Sequence, residues 1–313
     1  MTDSALHPSS PSYADPDRSA LVHVRRLAFH LSIATLLLMA VGSATRVMNA
    51  GLACPDWPLC YGQLLPRQQM NLQVFLEWFH RLDAALIGLG AIALLGLSLW
   101  QRRQLPRWVP WLSGLALLLV ILQGSLGALT VTELLRFDIV TAHLGMALLF
   151  FLVLIGIHTA LLPYQGSGNT GKLHWWGTGA ASLIYLQSLL GGLVGSRWAL
   201  HQCLETSHLC TVMNSHIAGV LPPTLAVACL IWLVWRTPAL SFSLRRLANW
   251  AAGLLVVQIC LGVATFHLHL QVEPLTVAHQ AVGAALFGTL VAFSVLAWRD
   301  RNDAILSQSE VTV

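Results

Sequence analysis

Charged residues are scarce in this sequence. They make up 10% of its 313 residues, against 56% hydrophobic residues, whereas soluble domains carry about 25% charged residues. Little chain is left between the apolar stretches, so a sizeable soluble domain is excluded. The apolar–polar alternation over roughly 10 residues that marks the strands of a membrane barrel is also missing. What remains is a helical protein embedded in a lipid bilayer.

Eight apolar runs are each long enough to cross a bilayer as a helix, which takes roughly 20 residues. We therefore predict an all-α integral membrane protein with eight transmembrane helices. The predicted spans are about 27–48, 74–100, 108–131, 138–162, 174–196, 212–235, 246–268 and 275–298.

Arginine and lysine are concentrated in alternate connections between these spans, and positive residues favour the cytoplasmic side of short loops. Both termini are therefore predicted to lie inside, with loops 49–73, 132–137, 197–211 and 269–274 outside. The net charge of +4 is mostly this orienting arginine, so it gives no reason to expect a nucleic-acid partner. The inner positive residues are Arg25, Arg26, Arg102, Arg103, Arg107, Lys172, Arg236, Arg245, Arg246, Arg299 and Arg301.

The amino-terminal segment contains no cleavable signal by composition. Residues 1–20 are rich in proline and serine and lack an apolar core, which favours a disordered tail followed by an uncleaved anchor helix. We predict tails at 1–24 and 300–313, both cytoplasmic.

Six cysteines divide along the same topology. Cys54 and Cys60 share the first outer loop, and Cys203 and Cys210 share the third. Each pair can close a small disulfide if the outer face is oxidising, and free thiols are the alternative. Their spacings do not match the short C-x2-C elements of structural zinc sites. Cys229 and Cys260 lie within spans and are interpreted as small buried hydrophobes.

A Gln-x-x-x-Gly motif recurs in the third, fifth and seventh spans, and the first span holds a weaker copy with Gly42 and no glutamine. Such internal repeats in membrane proteins indicate two bundles related by a pseudo-two-fold axis. We predict a first four-helix bundle at 25–163 and a second at 172–299. The motif pairs are Gln123/Gly127, Gln187/Gly191 and Gln258/Gly262.

Each of these spans is followed by an outer loop and a span with a histidine near its outer end. The four histidines, at one common depth, are His80, His143, His216 and His279. Polar groups at such depth usually face the bundle interior and mark function. Neutral imidazole is an axial ligand of heme iron, so two histidines per half predict a heme in each half. The glycines would let a porphyrin approach the backbone or serve helix packing, and the glutamines would bond between helices.

The two halves differ beside the histidine. Glu77 precedes His80 by three residues, on the same helix face, whereas Met213 occupies the matching place before His216. A buried carboxylate next to a heme can act as a general base or proton relay. A salt bridge to Arg81 or an interfacial anchor is the alternative role.

These features together resemble the heme A synthase family of cytochrome oxidase assembly. The matching parts are GLACPDWPLC (51–60), EWFHR (77–81), the Gln-x-x-x-Gly helices, His143, CLETSHLC (203–210), His216 and His279, and they cover about 25–299. One departure is the missing glutamine before Gly42. The family activity implied is oxidation of a ring methyl group of heme O to a formyl group, which gives heme A.

The resemblance also implies a division of labour. His80 and His143 would hold the substrate heme, His216 and His279 would hold a permanent heme b, and Glu77 would be the catalytic carboxylate. Arg81 is expected to pair with a heme propionate near the outer surface. Implied partners are heme O, the farnesyltransferase that makes it, the bilayer of a bacterial inner membrane, an unknown electron acceptor and a second copy of the chain.

Two other functions use the same residues. A bis-histidine membrane cytochrome b passing electrons from quinol would have two permanent hemes and equivalent halves, which the single Glu77 argues against. A heme transporter or chaperone would bind heme transiently through the same histidines.

Overall fold

The computed structural model describes residues 16–166, 169–195, 208–269 and 271–311, with side chains left out at 16–18, 208–210 and 303–311. Within these ranges the regular structure is helical, apart from an isolated bridge between Cys60 and Gln63. The helices are α1 Pro16–Val47, α2 Leu72–Trp100, α3 Trp108–Thr132, α4 Phe137–Ala160, α5 Leu173–Val194, α6 His208–Ala218, α7 Leu221–Arg236, α8 Phe242–His267 and α9 Glu273–Val311.

Eight stretches of the described chain are long and apolar enough to cross a membrane, which confirms the predicted all-α membrane fold. The sixth of them, Thr211–Arg236, consists of α6 and α7 with a turn at 219–220 between them. Pro222 and Pro223 explain the turn, because proline lacks the N–H that would continue the helical bonding. The residue before a proline also disfavours helical backbone angles.

Two helices extend beyond the predicted spans. α1 begins at Pro16 and α9 continues to Val311, so residues 16–24 and 300–311 are helical where composition predicts tails. Proline is favoured in the first turn of a helix, where its missing N–H has no partner to lose. Asp300 is fully buried, so the start of the predicted carboxy-terminal tail belongs to the packed structure.

The helices of each half close into a ring. In the first half α1 contacts α2 and α4, and α3 contacts α2 and α4; in the second half α5 contacts α6, α7 and α9, and α8 contacts α7 and α9. The halves meet where α9 packs on α1 and α4, and where α4 packs on α5. The same ring in both halves agrees with the predicted duplication, while the pseudo-two-fold axis and the membrane orientation stay predictions.

The connections fall on two sides of the bundle, because each span crosses it once. The "arginine side" contains loops 101–107, 161–172 and 237–241, and the "histidine side" contains the loops before α2, α4, α6 and α9. Exposed tryptophans are concentrated near the arginine side, as expected at a membrane–water interface. They are Trp100, Trp108, Trp111, Trp175, Trp176, Trp232, Trp235, Trp250 and Trp298, whereas the exposed Trp57 lies in the loop before α2.

A polar network on the arginine side ties the connection between the halves to α9. The Tyr164 hydroxyl donates to Asp300 Oδ2 at 2.8 Å and lies 2.8 Å from Ser241 Oγ. Arg299 donates to the carbonyls of Thr159 and Leu162 at 3.1 and 2.9 Å. Burial, together with the bond to Asp300, raises the pKa of Tyr164 well above its usual value.

Candidate functional site

Each of the four predicted histidines packs its ring against a glycine of the preceding span. A Cβ added at that glycine would lie 2.9 Å from His80 Cε1, 3.3 Å from His143 Cε1, 3.0 Å from His216 Cε1 and 2.9 Å from His279 Cε1. The glycines are, in the same order, Gly42, Gly127, Gly191 and Gly262. Glycine is therefore needed to seat the imidazole itself, a role that the motif spacing does not reveal.

The motif glutamines contact the same rings. Gln123 Nε2 lies 3.2 Å from His143 Nε2, and Gln258 Nε2 lies 3.3 Å from His279 Nε2. The amide of Gln187 contacts His216 Nδ1 at 3.0 Å. His80 has no such partner, because Leu38 stands four residues before Gly42. The glutamines therefore bond between helices, and their partners are the histidine rings.

The Gln187 amide also uses the helix break that follows His216. It donates to the His216 carbonyl at 2.7 Å. In a continuous helix that carbonyl would accept from Val220 N–H, but Val220 N–H donates instead to Ile217 O at 3.3 Å. The freed carbonyl requires another donor in this apolar setting. Gln187 supplies it and fixes both the ring and the backbone of His216.

Two of the four histidines belong to each half. His80 and His143 lie on α2 and α4, and His216 and His279 lie on α6 and α9. The rings of His80, His143 and His279 each keep a buried Nδ1 with no partner among the described residues. No cluster of three or more metal-binding side chains occurs in the described part of the chain. Paired imidazoles with a free ring nitrogen fit the two axial positions of a heme iron and not a zinc site.

Glu77 lies in a buried ion pair beside the first outer loop. Only 4% of the residue is exposed. Its Oε1 pairs with the Arg81 guanidinium at 2.5 Å, and its Oε2 accepts from Cys54 N–H at 2.8 Å. The side chain of Asn71, whose Oδ1 accepts from Val74 N–H at 2.9 Å, caps the start of α2. The predicted alternative, a salt bridge between Glu77 and Arg81, is present in the structure.

Arg81 fastens the loop to α2. Its Nη1 donates to the carbonyls of Asp56 and Leu59 at 2.6 and 2.5 Å, and its Nη2 lies 3.4 Å from the Cys54 carbonyl. The predicted contact with a heme propionate stays a prediction. What the structure shows is that the guanidinium binds three carbonyls of the outer loop and so ties the loop to α2.

The loop is closed on itself by covalent and polar contacts. Cys54 and Cys60 form a disulfide with Cα atoms 4.8 Å apart. The Asp56 carboxylate accepts from Tyr61 N–H at 2.6 Å and Gly62 N–H at 2.8 Å, and these bonds hold its pKa below the usual range. We call residues 51–63 with Glu77 and Arg81 the "loop clamp".

The loop of the second half is only partly described. Cys203 and the side chains of His208 and Cys210 lie outside the described residues, so the second predicted disulfide stays a prediction. Ile217 stands where Arg81 does in the first half, and Met213 stands at the Glu77 position. Cys229 is partly buried and Cys260 is exposed, and both are free, so the expectation of buried thiols is wrong for Cys260.

Arg46 is a residue of this region that the sequence motifs do not mark. It lies in the last turn of α1, and its Nη1 donates to the Gly192 carbonyl of α5 at 3.3 Å. An arginine in the apolar end of a span was the available signal, because intramembrane charges are usually functional.

Fold and site together define a class: a multi-pass helical membrane protein with two imidazole pairs suited to heme iron. The family model described as "Cytochrome oxidase assembly protein" (COX15-CtaA) matches residues 25–291. The chain belongs to this family.

Curated relatives agree along most of the chain. It is 28% identical to "Heme A synthase" of Shewanella oneidensis, over 84% of this chain and 93% of that protein. It is 29% identical to "Heme A synthase" of Rhodospirillum centenum, over 93% of this chain and 92% of that protein. The protein of the same name from Caulobacter vibrioides is 28% identical, over 93% and 99%.

Proposed function

We propose that this protein is a heme A synthase, an oxidoreductase that converts a ring methyl group of heme O into a formyl group. Family membership and relatives of that name across nearly the full length support the activity. The structural observation that carries it is the seating of four histidine rings, two in each half, on glycines of the preceding spans.

The two pairs have different tasks in this proposal. His80 and His143 hold the substrate heme beneath the loop clamp, and His216 and His279 hold a resident heme b. Bound heme b supplies one-electron redox chemistry. The difference between the halves supports this assignment, because the acid–arginine pair Glu77–Arg81 stands beside His80 and hydrophobic residues stand beside His216.

Glu77 is proposed as the proton acceptor. Conversion of a methyl into a formyl group is a four-electron oxidation in which two hydrogen atoms leave the carbon and one oxygen atom is added, so the step needs a base for the protons and an external acceptor for the electrons. The described bonds of Glu77 go to Arg81 and Cys54 N–H, whereas an ionised carboxylate has about four acceptor positions. Glu77 can therefore take a proton while it still holds the loop.

The loop clamp has a supporting role in the same proposal. It covers the outer end of α2 with a segment fastened by Arg81 at three carbonyls. Such a cover limits the access of water to the substrate, which strengthens electrostatic interactions inside the site. The disulfide between Cys54 and Cys60 closes part of this segment into a small loop.

The membrane location indicates where the substrate comes from and where the product goes. The chain is a multi-pass membrane protein acting on a lipid-soluble heme, and we place it in a bacterial cytoplasmic membrane with the histidine side outward. The farnesyltransferase that makes heme O would supply the substrate, and cytochrome oxidase assembly would consume the product.

Heme extraction tests the proposal. Membranes from cells that express this protein together with a source of heme O are extracted and the hemes separated by chromatography, with cells carrying the heme O source alone as control. We expect heme A in the first sample only. Absence of hydroxylated or formylated heme, with the protein folded and its heme b loaded, would contradict the enzyme and favour a cytochrome b or a heme carrier.

A further inference from the structure

The side chain of Arg46 crosses from the first half of the molecule to the second. Its helix α1 belongs to the first half, and its Nη1 donates to Gly192 O of α5 at 3.3 Å. A Cβ added at Gly195 would collide with Nη2 and lie 3.0 Å from Cζ of this guanidinium. The guanidinium therefore occupies space at the end of α5 that only glycine leaves open.

This position is one helical turn outward of a heme ligand. Gly191 and Gly195 are four residues apart and share a helix face, and Gly191 seats the His216 ring. The guanidinium thus lies on the face of α5 that contacts the His216 ring, about 6 Å from Gly191 toward the histidine-side surface by the helical rise.

The guanidinium is incompletely bonded. Its Nε is sealed from solvent and has no hydrogen-bond partner among the described residues, although a buried unpaired donor costs free energy. No carboxylate among the described residues bonds to Arg46: Glu77 pairs with Arg81, and Glu133 and Asp138 pair with Arg136. A partly buried arginine with a buried, unpaired Nε–H fits a carboxylate, which a guanidinium can bind in a bidentate manner.

We propose that Arg46 binds a propionate carboxylate of the heme held by His216 and His279. The inference rests on the proposed function, because it takes a heme in the second half as given. It adds a contact made by the first half to the heme of the second half. Arg46 is a heme-binding residue in this proposal and takes no part in the proton transfer assigned to Glu77.

Heme retention and reduction potential in the purified, heme b-loaded protein test this assignment. Arg46→Gln should lose heme to apomyoglobin about tenfold faster, as expected when roughly 1.4 kcal/mol of binding is lost. Its reduction potential should fall and vary more with pH, because the propionate loses its fixed positive partner. The rate of heme loss and the reduction potential of Arg46→Lys should lie between those of the wild-type protein and of Arg46→Gln. Arg67→Gln, an exposed arginine of the outer loop, is the matched control and should change nothing.

Two further variants separate this role from a structural one. Gly195→Ala leaves Arg46 in the chain but takes its space, so it should lower the potential as Arg46→Gln does. Glu205→Gln removes an acid of the connection after α5 and should leave the potential unchanged. A loss of thermal stability in Arg46→Gln with wild-type potential and heme retention would show a structural tie only and would overturn the proposal.

Two other outcomes would assign Arg46 to a different partner than the heme propionate. Equal effects of Glu205→Gln and Arg46→Gln would assign the guanidinium to a protein carboxylate. Loss of a bound anionic lipid from Arg46→Gln in native mass spectrometry, with the potential unchanged, would assign it to a lipid headgroup. Both would overturn the proposal while heme O conversion by the wild-type protein still stands.

Discussion

The two histidine sites share their glycine and glutamine contacts and differ in the residues beside the first histidine of each half. Both seat their rings on glycine, and both have a histidine oriented by glutamine. The first site adds Glu77 and Arg81 in the loop clamp, where the second has Met213 and Ile217. The two sites therefore share their glycine and glutamine contacts, and the buried acid–arginine pair lies beside a histidine of the first site.

The helices that carry the first histidine of each half differ as well. α2 is continuous from Leu72 to Trp100, whereas the matching span breaks at 219–220, just after His216. The break frees the His216 carbonyl, which Gln187 binds together with the ring. His80 has neither the break nor the glutamine. The second site therefore has one more glutamine contact to its histidines than the first, which supports the proposal that it holds the resident heme.

The largest expected effect is the loss of heme b on replacement of a histidine of the second pair but not of the first. His216→Ala or His279→Ala should remove most of the heme b from the purified protein, because an axial ligand is lost. His80→Ala and His143→Ala should keep heme b and lose bound substrate heme. Pyridine hemochromogen spectra measure the content, and His267→Ala, an exposed histidine at the end of α8, is the control. Equal loss of heme b from all four variants would contradict the division.

The next effect concerns the acid of the first site. Glu77→Gln should retain heme b and lower conversion of heme O about 100-fold or more, within the range typical of general acid–base catalysis. Product chromatography measures it. Asp138→Asn changes an exposed acid of the same side and should be neutral; full activity of Glu77→Gln would remove this carboxylate from the mechanism.

The same position separates proton transfer from loop fastening. Glutamine at position 77 keeps an oxygen that accepts from Cys54 N–H, and alanine does not. Cys54 and Cys60 are 0% and 2% exposed, so reduction of their disulfide requires the loop to open. Dithiothreitol should reduce it at the wild-type rate in Glu77→Gln and faster in Glu77→Ala.

The smallest effect tests the glycine seats. Gly262→Ala places a Cβ 2.9 Å from His279 Cε1, so the ring has to shift and heme b content should fall several-fold. Gly42→Ala makes the same change beside His80 and should leave heme b intact while it weakens substrate binding. Gly253→Ala lies in the same helix as Gly262, with open space around the added atom, and serves as control. Unchanged heme binding in Gly262→Ala would show that the ring tolerates the methyl group.

The sequence allowed the spans, the histidine positions and the repeat to be predicted, because these depend on hydropathy and spacing along the chain. It did not reveal that Gly42 touches His80 or that Arg46 reaches Gly192, since contacts between helices depend on rotation and register. The break before Pro222 could have been inferred from proline chemistry. The extension of α9 past Arg299 could not, because Asp300 is stabilised by a tyrosine far away in the chain.

The network around Tyr164 has a consequence for biogenesis. Its partner Asp300 is made 136 residues later, so during synthesis the connection between the halves emerges long before α9 does. The bonds from Tyr164 to Asp300 and from Arg299 to Leu162 O can therefore form only after α9 has been made. A chain truncated before α9 would lack both bonds and the link that they make between the connection of the halves and the last span.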